Sequence, residues 1–93
     1  MTVSSEEGTE VGDTKITVTP AIGSGNVYKY KVGDEAQVVT WKQNVQAWSA
    51  WDGEADITAE TDKVITVVEA TADYKAIKVG SATVVSKKAE AIG

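Results

Sequence analysis

The chain has 93 residues and a formal net charge of −5; it contains no cysteine, histidine, phenylalanine, leucine or arginine, while valine, isoleucine and threonine make up 31 of the 93. That length allows one small domain. The missing residue types exclude a disulfide framework, thiolate metal sites and Ser-His or Cys-His catalysis, and a leucine-free, β-branched chain points away from a helical bundle.

Residues 1–13 carry Glu6, Glu7, Glu10 and Asp13 with no lysine and are read as a flexible acidic arm. A β domain is expected over 14–87 and a flexible tail over 88–93. The first strand is expected at Lys15–Thr19, with Ile16 and Val18 on one face, ended by Pro20. After the Gly23–Asn26 loop, Val27–Val32 alternates Tyr28 and Tyr30 against Lys29 and Lys31, which marks the lysine side as wet. A turn at 33–35 leads to an expected strand at Ala36–Trp41, with Val39 and Trp41 sharing a face. Three-residue spacing of Val45, Trp48 and Trp51 suits one or two helical turns, so a short helical segment is expected near 43–50. A short strand follows near Asp56–Ala59. The β-branched run Lys63–Glu69 suits a central strand. Two more strands, Tyr74–Val79 and Ala82–Ser86, are expected on either side of a Gly80-Ser81 turn. The expected fold is therefore all-β: a small antiparallel β-sandwich or barrel of about seven short strands, Ig-like, with one short helical segment.

Few residue patterns carry chemistry. Trp41, Trp48 and Trp51 suit either a stacking platform for sugar rings or a core that lacks other bulk, and the core reading is favoured, with Trp48 or Trp51 partly exposed. The carboxylates of Asp52, Glu54 and Asp56 alternate as calcium ligands would, but the EF-hand glycine and distal acid are missing, so a solvated turn is favoured. No catalytic residue, cofactor or metal is expected: general-base chemistry near neutral pH lacks histidine, and no phosphate loop or nucleophile elbow occurs. Lys29, Lys31 and Lys78 could meet an acidic partner, although edge protection is the plainer reading. Without arginine or a clustered cationic face, nucleic-acid binding is not expected. No apolar run reaches the roughly 20 residues that span a bilayer, and no signal-peptide pattern follows Met1.

Two stretches resemble a known module. Lys15-Ile16-Thr17-Val18-Thr19-Pro20 continues through Ser24-Gly25-Asn26-Val27-Tyr28-Lys29-Tyr30-Lys31-Val32-Gly33; then come Trp48-Ser49-Ala50-Trp51-Asp52-Gly53, Asp56-Ile57-Thr58-Ala59, Val64-Ile65-Thr66-Val67-Val68-Glu69 and Lys75-Ala76. Over residues 14–87 this resembles a short module of virion structural proteins from tailed phages of Gram-positive hosts, free-standing on heads or appended to capsid and tail proteins. The resemblance implies a non-enzymatic capsid decoration protein at the virion surface, with the major capsid protein or another virion protein as partner. Glu6, Glu7, Glu10, Trp48 and Trp51 are the expected contact residues. The alternative is a carbohydrate-binding or adhesin module on a virion or cell surface, binding cell-surface carbohydrate and otherwise extracellular. Whether the chain forms a homo-oligomer is not legible from the residues.

Overall fold

The computed structural model describes residues 1–19 and 21–88. Seven strands follow in order: β1 Thr2–Glu7, β2 Asp13–Thr19, β3 Val27–Gly33, β4 Ser49–Trp51, β5 Ile57–Thr58, β6 Val64–Ala70 and β7 Ala76–Thr83. They form two antiparallel sheets, ordered β1-β2-β5 and β4-β3-β6-β7. Among the described residues there is no helix.

β2 and β3 obey the alternation their residues dictate. Thr14 and Ile16 are buried and Val18 half-buried, while Lys15, Thr17 and Thr19 face water. From β3, Tyr28 and, less deeply, Tyr30 and Val32 enter the space between the sheets, where Ile16, Trp51, Ile57, Ile65, Val67 and Val84 complete the main core. Each fully buried aliphatic or aromatic side chain here is worth roughly 1.5–3 kcal/mol of burial.

β6 departs from alternation, because both its faces are covered and Ile65 to Ala70 are all buried. Ile65 and Val67 face the other sheet. Val68 and Ala70 point to the opposite face, where Val45, Ala76, Val39, Trp48 and Tyr74 form a second core. The cover is the irregular segment 34–48. Its backbone is tied down along its length: Gln37 N–H donates to Thr66 Oγ1 at 2.9 Å, Lys42 N–H to the Ala76 carbonyl at 2.7 Å, and Val45 N–H to the Tyr74 carbonyl at 2.9 Å.

Several expectations are corrected by this arrangement. Residues 1–13 were expected to be an arm, yet Thr2–Glu7 pairs with β2 over six residue pairs, from Thr2↔Thr19 to Glu7↔Thr14. The Ser5 and Thr14 hydroxyls lie 2.6 Å apart, and Ser5 Oγ accepts Val85 N–H at 2.8 Å. Ala36–Trp41 forms no strand, because β3 already has β4 and β6 on its two sides, so the chain returns across the sheet face instead. The expected helical segment near 43–50 is absent for a related reason. Val45 and Trp48 pack on the outer core, whereas Trp51 enters the inner one; the three-residue spacing is that of a chain crossing a sheet edge. The expected Gly80-Ser81 turn is also absent, since β7 runs unbroken through both residues. A side chain at Gly80 would strike Val3 Cγ2 at 2.7 Å, so this glycine serves close packing of β1. Pro20 and residues 89–93 of the expected tail lie outside the described residues.

Candidate interaction surface

The five expected contact residues do not form one patch. Glu6 and Glu7 are exposed at the end of β1 and Glu10 is exposed in the following turn, where its carbonyl accepts Asp13 N–H at 3.0 Å. Trp48 is half-buried on the outer core. Trp51, expected to be a partly exposed contact, is only 9 % exposed; its ring packs at 5.1 Å from that of Tyr28, and its Nε1–H donates to the Ala55 carbonyl at 2.7 Å. The exposed indole is Trp41, 70 % accessible, with the Lys42 ammonium 5.9 Å from its ring centroid. Trp41 had been expected to lie beside Val39 on a strand. The three indoles thus lie in three environments: Trp41 exposed, Trp48 half-buried and Trp51 buried.

The 52–56 loop is organised from within. Asp52 Oδ1 accepts the N–H groups of Glu54 (2.8 Å) and Ala55 (2.7 Å). These bonds, that of Ala55 foremost, hold the Asp52 carboxyl below its ordinary value. Gly53, at φ +87°, lies under Tyr28, where a Cβ would sit 2.8 Å from Cε2. Asp56 Oδ2 accepts Thr9 N–H at 2.7 Å, joining this loop to the β1–β2 connection. The carboxylates of Asp52 and Asp56 thus serve the backbone, and among the described residues no three acidic, histidine or cysteine side chains cluster as metal ligands. An open hollow of about 480 Å³ beside the loop is lined by Tyr30, Ala50, Trp51, Asp52, Asp56 and Ile57.

The lysines also differ from expectation. Lys31 is exposed, but Lys29 is buried, because segment 34–48 covers the face expected to be wet. Its ammonium donates to the Trp48 carbonyl at 3.3 Å and stands 4.8 Å from the Tyr74 ring centroid, a cation–π contact. Lys78 approaches Glu69 Oε1 at 3.9 Å, so the three lysines are not one cationic row. Glu69 itself, read from sequence as the end of a strand, is a buried anchor: Oε2 accepts Gly23 N–H at 3.1 Å and Asn26 Nδ2–H at 2.6 Å. Burial first, and then the Glu69 charge, push the Tyr28 hydroxyl above its ordinary pKa. At the surface, Lys63 donates to Asp34, and this bond holds the Asp34 carboxyl low and the Lys63 ammonium high.

Two packed antiparallel sheets, one of them with a covered outer face, define the class of small all-β two-layer domains. Within that class the chain belongs to the family described as the S-layer protein SbsC C-terminal domain, whose model matches residues 6–87. No curated protein and no solved structure matches it. Among the described residues no helix is long and apolar enough to cross a membrane.

Proposed function

We propose that the chain is a non-enzymatic structural or adhesive module of a cell-surface layer, located outside the cell. The family match over residues 6–87 carries this reading. The fold supports it, since its polar residues are engaged in holding loops and its hollows are shallow. The topology is, on this reading, Ig-like: neighbours β1-β2-β5 and β4-β3-β6-β7 correspond to A-B-E and C′-C-F-G, with β4 as the C′ strand. Antibodies raised against the folded domain test the location. Labelling of intact source cells is expected; labelling that requires lysed cells overturns the proposal.

The capsid-decoration reading rests on the resemblance of the quoted segments alone. It shares the feature of display on a surface, and the same antibodies separate the two, because label confined to released phage particles favours the virion. A carbohydrate ligand would meet Trp41 or the half-buried Trp48, and quenching of tryptophan fluorescence by isolated cell-wall polysaccharide, lost in Trp41→Ala, would support that ligand.

A further inference from the structure

Segments 1–7 and 80–88 run side by side and in the same direction. Met1 and Val3 sit against Gly80, where a Cβ would come within 2.9 Å of the Met1 carbonyl oxygen and 2.7 Å of Val3 Cγ2. Farther along, Ser5 Oγ accepts Val85 N–H at 2.8 Å. Past the end of β1, Val11 bridges to Lys87 in the parallel sense. Residue numbers rise together along this strip, so Met1 lies towards one end of it and Lys88 towards the other.

Both segments are tied to the body by bonds that cross the strip. Thr2–Glu7 pairs with β2 over six residue pairs, and antiparallel ladder bonds lie perpendicular to their strands. Thr14 Oγ1 adds a bond to the Glu6 carbonyl at 3.0 Å. At the other end, Gly12 N–H donates to the Lys87 carbonyl and Lys87 N–H to the Asp13 carbonyl, both at 2.9 Å. Ser86 N–H donates to Thr61 Oγ1 at 3.0 Å, and the Lys87 ammonium donates to the Thr9 carbonyl at 3.1 Å.

Tension applied between residues 1 and 88 draws β1 along its own axis, from Glu7 towards Thr2, and draws 84–88 the opposite way. The β1–β2 bonds are then loaded sideways and together, so the strand cannot leave by opening one pair at a time. We infer that the domain is a tension-bearing link, in which β1 and 84–88, locked to each other through Ser5, Gly12 and Asp13, form a clamp loaded in shear.

The load path is short. It runs from β1 through Ser5 and the start of β2 into residues 85–87. Segment 34–48, which packs on the outer face of the other sheet, lies off it. The inference rests on the surface-layer reading only for the origin of the tension, since a layer that encloses a cell carries lateral stress. The clamp itself is a property of this chain and is measured without cells. A module found inside the cell would lose its source of load and keep its clamp, whereas a module without the clamp could still lie at the surface.

The chain has no cysteine, so handles for single-molecule pulling can be attached at chosen residues, and Thr2, Ala21 and Lys88 are exposed. Pulling Thr2→Cys against Lys88→Cys loads the clamp in shear. Pulling Thr2→Cys against Ala21→Cys, next to the Thr2↔Thr19 pair, peels β1 open from its end. The rupture force in shear is expected to be at least about twice the peeling force, because several ladder bonds must break together. Two further variants, each checked for an unchanged circular dichroism spectrum, are then pulled in shear at constant load. Ser5→Ala takes the acceptor from Val85 N–H and is expected to speed forced unfolding about tenfold. Val45→Ala lowers equilibrium stability but lies off the load path, and is expected to stay within about twofold of the parent. Equal rupture forces in the two geometries overturn the inference, as does forced unfolding that Val45→Ala speeds as much as Ser5→Ala.

Discussion

The two sheets treat their outer faces differently. The three-stranded sheet leaves Lys15, Thr17 and Thr19 of β2 in water, whereas the four-stranded sheet is roofed by segment 34–48, and β6 beneath it is buried on both sides. A stretch with no regular structure thus does the work of a third layer. It can do so because its backbone groups bond to Thr66, Tyr74 and Ala76 at separate points, which limits the cost of burying irregular chain.

Substitutions graded by layer break or sharpen this contrast. Ile65→Ala, between the sheets and fully buried, is expected to cost about 4 kcal/mol in urea unfolding. Glu69→Ala leaves Gly23 N–H and Asn26 Nδ2–H without their acceptor and is expected to cost about 3 kcal/mol, with the 21–26 amides losing protection from hydrogen exchange first. Val45→Ala, in the roof, is expected to cost about 2 kcal/mol. If Val45→Ala proves neutral, the roof is a loose flap and the contrast fails. Lys15→Ala on the bare face is expected to stay within about 0.5 kcal/mol of the parent.

The smallest effect is a pH response in the 52–56 loop. Asp52 is held low by the N–H groups of Ala55 and Glu54. A depressed folded-state value contributes stability above the ordinary carboxylate range, near pH 4, and that contribution is lost as pH falls through the lower folded value. The Trp51 indole N–H resonance reports the change, because its acceptor is the Ala55 carbonyl. It is expected to shift below pH 4 in the parent and to lose that titration in Asp52→Ala.

Legibility in the sequence followed the number of covered faces. β2 and β3 were readable because one face meets the core and tyrosine or isoleucine alternates with lysine or threonine; β6 was readable because a β-branched run needs no alternation when both faces are buried. β1 was not, since Val3 is its one large apolar residue and its place depends on Ser5 and Thr14 meeting across the pair. The burial of Lys29 was hidden because local alternation does not reveal a roof supplied by residues 34–48. For the candidate surface, Trp48 was partly legible, but the exposure of Trp41 and the burial of Trp51 depend on which side of a sheet the chain crosses.

The roof has a consequence for variation. Strand register in the four-stranded sheet is held by the seven β3–β6 pairs from Val27↔Ala70 to Gly33↔Val64, none of which involves residues 34–48. The stretch Val38–Trp41 lies between the tethers at Gln37 and Lys42 and carries the most exposed valine of the chain, Val38 at 88 %. New side chains can therefore be displayed at Val38 without disturbing the ladder, whereas Val39 beside it belongs to the outer core, which makes Val38 the natural place to attach a foreign group.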